Sequence, residues 1–403
     1  MTVVTAQSRA QLATTISLCF LVALMEGLDL QAAGIAAQGM AAAFNLDKLH
    51  MGWVFSAGIL GLLPGAFVGG WVADRIGRKR VLMGSVALFG LFSLVTALAW
   101  DFNSLIVARC LTGVGLGAAL PNLIALTSEA AGPRLRGTAV SMMYCGVPLG
   151  AALAAVIGIA GYSVGWQVVF YVGGAVPLLI VPLLGRYLPE SAAFRDGQQS
   201  TDNSTGLWHG LFRNGAGSST LLLWLSYFFT LMVVYILINW LPSLLVGQGF
   251  TGVQASWVML ALQLGAAIGT LLLGALMDRL PAWAIASLIY LGILGSLTAL
   301  GLANAFEHML VAGFVAGLFA TGGQGVLYAL APLFYPTHMR ATGVGTAVAV
   351  GRLGAMSGPL VAGQMLALGT GTAGVMLASA PGIVLAAGAM FCLSLRRNKL
   401  APE

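Results

Sequence analysis

Charged residues are scarce in this 403-residue sequence. Only 7% of its residues are charged, 59% are hydrophobic, and the mean hydropathy is +0.94. Because soluble domains carry about 25% charged residues, this composition excludes a soluble protein and predicts an integral protein of the lipid bilayer. The net charge of +6 does not indicate a nucleic-acid partner, since the basic residues lie in short loops between apolar segments.

Motifs for catalysis and metal binding are also missing. The sequence contains no G-x-S-x-G, H-E-x-x-H or P-loop pattern. Its four cysteines fall inside apolar segments without the spacing of metal ligands or of a disulfide framework, and its four histidines lie at segment ends or in loops. We therefore expect no enzyme activity, no metal and no cofactor.

Long apolar segments are what the sequence has in abundance. Twelve are long enough to cross a bilayer as helices. They occur at 14–36, 51–72, 80–100, 103–125, 138–160, 166–186, 218–241, 253–276, 282–303, 306–328, 342–366 and 371–394. A single long polar stretch separates the sixth from the seventh. We predict an all-α membrane protein with an N-terminal six-helix bundle (1–186), a linker (187–217) and a C-terminal six-helix bundle (218–403).

The basic residues predict the orientation of the chain. With the N-terminus inside, cytoplasmic segments collect fifteen of the eighteen Lys and Arg residues. The outer loops then hold only Lys48, and the spans hold Arg109 and Arg352. Because cytoplasmic loops carry an excess of Lys and Arg, we expect both termini to be cytoplasmic. The first span is too long and too acidic for a cleavable signal peptide.

The two halves repeat each other at a fixed offset. The pairs Gly70/Gly274, Asp74/Asp278, Arg75/Arg279, Arg136/Arg340 and Thr138/Thr342 are each separated by 204 residues. Duplicated halves are typical of secondary transporters, which bind substrate near the midplane between the repeats. Close helix contacts are predicted by small-xxx-small spacing at Gly61, Gly65 and Gly69 in the second span and at Gly113 and Gly117 in the fourth.

Two carboxylates lie near the middle of the first span. Glu26 and Asp29 are one turn apart on one helix face. Acids at membrane depth normally face the bundle interior or a water-filled path, so we interpret the pair as a proton-coupling site. Arg109 and Arg352 can each grip a substrate carboxylate bidentately. Equally, Arg109 can form an internal ion pair with Glu26 or Asp29, and both interpretations stay open.

The loop GGWVADRIGRKR, from Gly69 to Arg80, combines an acid with a basic run at the inner membrane edge. It resembles the G-x-L-a-D-r-x-G-r-r-k signature of the major facilitator superfamily, as do the fourth span around Arg109, the segment EAAGPRLRG and the Pro189-Glu190-Ser191 sequence. The resemblance implies the major facilitator fold and a conformational latch. Its residues are Asp74, Arg75, Arg78, Glu129, Arg136, Asp278 and Arg279.

Within that superfamily, Glu26-Gly27-Leu28-Asp29 resembles the D-G-x-D motif of the aromatic acid:proton symporters, with Glu in place of the first Asp. This resemblance implies uptake of an aromatic, phenylpropanoid-type carboxylate together with protons. An aromatic substrate needs flat apolar walls and a few polar anchors. The candidates are Arg109, Arg352, Tyr227, Tyr235, Asn239, Gln263, Gln324 and Tyr328.

The resemblance further implies a monomer in a bacterial inner membrane. An efflux antiporter, or an uptake carrier for another small organic anion, is the closest alternative because it shares every feature of the superfamily. A channel is also conceivable, but a channel does not require coupled carboxylates or duplicated latch loops.

Overall fold

A computed structural model describes residues 9–161, 163–191, 216–277, 279–330 and 340–400. The helices of the first half are α1 (Arg9–Phe44), α2 (Lys48–Ile76), α3 (Arg78–Ala97), α4 (Phe102–Tyr144), α5 (Gly146–Ala160) and α6 (Val168–Tyr187). Those of the second half are α7 (Ala216–Gly247), α8 (Gly252–Met277), α9 (Ala282–Leu302), α10, α11 (Arg340–Ala367) and α12 (Gly371–Leu400). Helix α10 consists of Phe306–Ala316, a π-helical turn at Gly317–Thr321, and Gly322–Leu330.

Within the described residues, twelve helical segments are long and apolar enough to cross a membrane, which confirms the predicted fold class. One predicted turn is wrong. The segment between the fourth and fifth spans continues the helix of α4 as far as Tyr144, and α5 begins only at Gly146. Most of its residues, such as Glu129, Ala130, Ala131 and Leu135, are good helix formers. Most of the predicted linker, residues 192–215, lies outside the described residues.

The described residues form two compact units. Unit 1 lies within 1–36, 57–157 and 163–201, and unit 2 lies within 37–56, 158–162 and 202–403. The C-terminal end of α1 and the first part of α2 therefore pack with unit 2, while the remainder of both helices packs with unit 1.

In unit 1, glycines bring helix backbones into contact. A Cβ added to Gly61 or Gly65 of α2 would overlap the backbone carbonyl of Cys110 or Val114 of α4. A Cβ on Gly113 of α4 would in turn overlap the carbonyl of Gly58. Close helix contacts were predicted at these glycines, and the structure shows that α2 and α4 make them with each other.

Equivalent contacts between glycines and backbone carbonyls occur in unit 2. Gly265 and Gly269 of α8 face the carbonyls of Phe314 and Leu318, and Gly317 of α10 faces that of Leu262. Each of these glycines, and each carbonyl that it faces, has its counterpart 204 residues earlier in unit 1. The internal repeat seen in the loops therefore extends to the contacts between spanning helices.

Candidate functional site

The most deeply buried charges lie in unit 1. Nη1 of Arg109, on α4, is 3.1 Å from Oδ2 of Asp29, on α1. The two side chains are only 4% and 0% exposed. A buried guanidinium cannot lose its proton at any accessible pH, so it needs a counter-ion at this depth, and Asp29 supplies it.

Neighbouring residues orient this ion pair. Oγ of Ser93, on α3, donates to Oδ1 of Asp29 at 2.9 Å, and the guanidinium carbon lies 5.5 Å from the centre of the Phe170 ring on α6. A Cβ on Gly58 would lie 3.3 Å from Nη2 of Arg109, so a small residue leaves room for the guanidinium. Sequence reasoning missed Ser93 and Phe170, because a lone serine or phenylalanine in an apolar helix carries no distinguishing pattern.

Glu26 lies one turn before Asp29 on α1 and is also buried, at 3% exposed. Close packing keeps this part of α1 in place, since a Cβ on Gly27, between the two acids, would overlap the carbonyl of Val147 on α5. Two carboxylates and one guanidinium are therefore held at membrane depth within unit 1. Of the two acids offered by the sequence, Asp29 accepts a hydrogen bond from Arg109.

A second polar cluster lies in unit 2. Nη1 of Arg352, on α11, donates to the hydroxyl of Tyr235, on α7, at 2.8 Å. One turn further along α7, Nδ2 of Asn239 donates to the backbone carbonyl of Tyr235 at 2.9 Å, which turns this amide back onto its own helix. The structure thus joins Arg352 and Tyr235, two residues that the sequence singled out separately.

Helix α10 adds two further candidates to this region. Nε2 of Gln324 donates to the hydroxyl of Tyr328 at 2.7 Å, and Arg352 lies within electrostatic reach of the same hydroxyl. The ring of Tyr328 is 5.5 Å from that of Tyr227, whose hydroxyl donates to the carbonyl of Leu327 at 3.0 Å.

Gln324 and Tyr328 follow shortly after the π-helical turn of α10 at Gly317–Thr321. Such turns are frequent at functional sites. Gln263, the remaining candidate, is buried in α8 at 2% exposed.

Two of the seven residues predicted to form a latch, Arg78 and Glu129, meet at one end of unit 1. Arg78, at the start of α3, forms an ion pair with Glu129 of α4, and Oγ of Ser191 donates to the same carboxylate at 2.5 Å. The backbone N–H of Lys79 donates to Oε1 of Glu190 at 3.0 Å. The signature loop, the C-terminal part of α4 and the segment after α6 are therefore tied together.

Two other latch candidates, Arg75 and Arg279, form no described contact with this cluster. The guanidinium of Arg75 lies 3.6 Å from the centre of the exposed Trp71 ring, so its described partner is aromatic rather than acidic. Arg279 is exposed and lies two residues after the end of α8. Asp278 lies outside the described residues, and the side chains of Asp74 and Arg136 are likewise not described.

A family model described as Major Facilitator Superfamily matches residues 19–304 and 223–403. The chain belongs to this superfamily. It is a multi-pass membrane transporter and not an enzyme.

Members of the superfamily that resemble this chain include transporters of aromatic acids. The chain is 70% identical to the 3-(3-hydroxy-phenyl)propionate transporter of Escherichia coli (strain K12), over 98% of this chain and 97% of that protein. It is 34% identical to the 4-hydroxybenzoate transporter PcaK of Pseudomonas putida, over 87% of this chain and 86% of that protein.

Solved structures agree on the fold. A bacterial homologue of the human lysosomal transporter Spinster superposes with a TM-score of 0.78 at 19% identity, covering 98% of this chain and 100% of that one. A D-xylose–proton symporter superposes with a TM-score of 0.76 at 18% identity, covering 97% of this chain and 98% of that one. At these identities the likeness concerns the fold alone.

Proposed function

We propose that this protein is a proton-coupled symporter that imports an aromatic carboxylate, 3-(3-hydroxyphenyl)propionate or a related phenylpropanoid acid. It works by alternating access as a monomer in a bacterial inner membrane, with both termini in the cytoplasm. The observation that carries the proposal is the buried Asp29–Arg109 ion pair, with Glu26 one turn away. The 70% identity to a 3-(3-hydroxy-phenyl)propionate transporter supports the choice of substrate.

The ion pair assigns different tasks to the two acids. Protonation of Asp29 leaves the buried guanidinium of Arg109 without its counter-ion, and breaking a buried pair in this way costs about 3–5 kcal/mol. Glu26 can take up a proton without separating that pair. In our proposal Glu26 therefore binds the proton from outside and releases it inside, while Asp29 holds Arg109 in place.

The cluster around Arg352 provides the substrate anchor. The Tyr235 hydroxyl accepts a hydrogen bond from Arg352, and the Tyr328 hydroxyl accepts one from Gln324. Each phenol keeps its own proton for donation. A guanidinium beside two hydroxyl donors suits a carboxylate, and the adjoining rings of Tyr227 and Tyr328 suit an aromatic substrate. We assign the carboxylate to Arg352 because Arg109 already binds Asp29.

The cluster around Glu129 is our candidate for the latch. Its ion pair with Arg78 and its bond from Ser191 join three segments that are separate in the chain. Exposed ion pairs are weak, but this pair is only about one-fifth to one-quarter exposed. The cluster can therefore favour one conformation of the transporter and still break during each transport cycle.

The experiment that tests the function is uptake into proteoliposomes. Labelled 3-(3-hydroxyphenyl)propionate is supplied outside with an inwardly directed proton gradient, with and without an uncoupler, and benzoate, cinnamate and xylose serve as competitors. We expect saturable, uncoupler-sensitive accumulation that aromatic acids inhibit and xylose does not. Inhibition by xylose alone would overturn the substrate assignment. Proton-driven export from loaded vesicles would indicate an antiporter, and unsaturable downhill flux would indicate a channel.

A further inference from the structure

A cavity of about 210 Å³ lies in unit 2, and its lining includes no residue of the two polar clusters. Its walls come from the C-terminal end of α1, the first turn of α2 and the C-terminal part of α7, and all of its lining residues belong to unit 2. The predicted orientation puts these helix ends at the outer face of the membrane.

The walls of the cavity are mainly apolar. They include Ala41, Met51 and Val246, together with Trp240. The indole of Trp240 is fixed, because its Nε1 donates to the carbonyl of Pro359 at 2.9 Å and its ring packs edge-on against Phe55 at 5.1 Å. Since the only polar atom of the indole is satisfied, Trp240 contributes apolar ring surface to the wall.

One cation lies among these lining residues. Lys48 is exposed and is the only Lys or Arg in the loops predicted to face outside. Among the described residues it forms no ion pair. The adjacent carboxylate of Asp47 instead accepts hydrogen bonds from the backbone N–H and the ring of His50, each at 2.8 Å. The side chains of Gln38 and Ser243 complete the polar part of the lining.

Size and chemistry together define the ligand. An apolar cavity of about 150 Å³ accommodates a benzene molecule, so a cavity of about 210 Å³ holds one aromatic ring with a short substituent. A lysine that keeps its ammonium in water while its stem lies on apolar surface can pair with a carboxylate at the end of that substituent. We propose that this cavity is an outer binding site for an aromatic monocarboxylate, which it captures before the acid reaches the transport site.

This inference rests on the proposed function, since the captured ligand is the transported acid. It gives Lys48 and the cavity a role in the concentration dependence of uptake, but none in the transport cycle itself. Loss of the cavity therefore affects the half-saturation concentration and leaves the maximal rate unchanged.

The test uses two variants, each with a matched control. Lys48→Gln removes the charge, whereas Lys48→Arg keeps it. Ala41→Leu fills the cavity, whereas Ala42→Leu adds the same side chain at an exposed neighbouring position that does not line the cavity. Uptake of labelled 3-(3-hydroxyphenyl)propionate is measured over a range of concentrations in proteoliposomes. Binding of the same acid, and of its uncharged amide, is measured in nanodiscs.

We expect Lys48→Gln to raise the half-saturation concentration about twofold to fivefold, the range for a solvent-exposed ion pair. Ala41→Leu should act in the same direction, and both controls should match the wild type. Wild-type protein should bind a second molecule of acid, which Lys48→Gln should bind about twofold to fivefold more weakly, whereas binding of the amide should be the same in both. Because Lys48 is exposed, its replacement tests the site even where Ala41→Leu fails to fold.

Unchanged half-saturation and binding in Lys48→Gln would overturn the proposal. If Lys48→Gln has an effect only in bilayers that contain anionic lipid, Lys48 binds a lipid headgroup rather than the acid. That result would also overturn the proposal. The nanodisc measurement reports the site whether or not uptake occurs. Failure of the proposed function, seen as absence of wild-type uptake, is therefore distinguished from failure of this site.

Discussion

Nη1 of Arg109 lies 3.1 Å from Oδ2 of Asp29, although the two residues are 80 positions apart in the chain. The contact joins α1 to α4, and both side chains are buried. Since removing one partner of a buried pair leaves an uncompensated charge, each residue constrains what can replace the other.

The first prediction concerns this pair. Asp29→Asn leaves Arg109 charged and buried, and we expect it to destabilise the protein by about 3–5 kcal/mol. The double variant Asp29→Asn/Arg109→Gln removes both charges of the pair, so neither partner is left as an uncompensated charge, and it should recover most of that loss, although it should not transport. Thermal unfolding of the purified variants in one detergent measures this effect. A double variant no more stable than Asp29→Asn would show that the pair does not hold the two helices as described.

The second prediction concerns proton coupling. Glu26→Gln imitates the protonated acid permanently, so we expect it to abolish accumulation driven by a proton gradient. It should spare exchange of labelled for unlabelled substrate, because exchange requires no net release of protons. Both rates are measured in the same proteoliposomes, and Gln11→Glu, near the start of α1, serves as a control for a changed charge on that helix. Concentrative, uncoupler-sensitive uptake by Glu26→Gln would rule out Glu26 as the coupling residue.

The third prediction concerns the carboxylate anchor. Arg352→Lys keeps the charge but loses the planar fork of the guanidinium. We expect acid binding to weaken by about tenfold or more, since a hydrogen bond to a charged group contributes about 1.5–3 kcal/mol. Binding of the uncharged amide should change far less. Arg109→Lys, which alters an internal pair, should affect both ligands equally.

Two tyrosine variants sharpen this assignment. Tyr235→Phe should weaken binding of the acid because it removes the hydroxyl bonded to Arg352. Tyr290→Phe is the matched control, since its buried hydroxyl bonds to Thr230 at 3.1 Å instead. Equal loss of acid and amide binding in Arg352→Lys would exclude Arg352 as the carboxylate partner.

The fourth prediction concerns the latch. Glu129→Gln removes the ion pair with Arg78, and we expect slow uptake with normal insertion and substrate binding. Asp101→Asn, at the N-cap of the same helix, is the matched control and should transport normally. Asp74→Asn should also slow transport severely, and Asp278→Asn should be milder because no basic run follows it. Initial rates at matched expression measure these effects, and a normal rate for Glu129→Gln would exclude its latch role.

Much of this protein could be predicted from the sequence alone. Twelve spanning helices follow from segment length and hydropathy, because backbone groups in a bilayer must be satisfied within each helix. The repeat follows from loop residues that recur at a fixed offset of 204. The small-xxx-small spacing predicted that α2 and α4 make close helix contacts at their glycines, since a residue without a side chain permits a close approach, but not that these two helices contact each other. The sequence predicted a turn between the fourth and fifth spans, and this prediction is wrong. Residues that favour a helix continue α4 through this segment.

The pairing of charges was decided only by tertiary structure. The sequence placed Glu26 and Asp29 equally well on one face of α1, and the rotation of that helix against α3 and α4 puts Asp29 on Ser93 and Arg109. The contact between Arg352 and Tyr235 also depends on two helices far apart in the chain. Periodicity determines which residues share a helix face, but which face meets which partner depends on the packing of all the helices together.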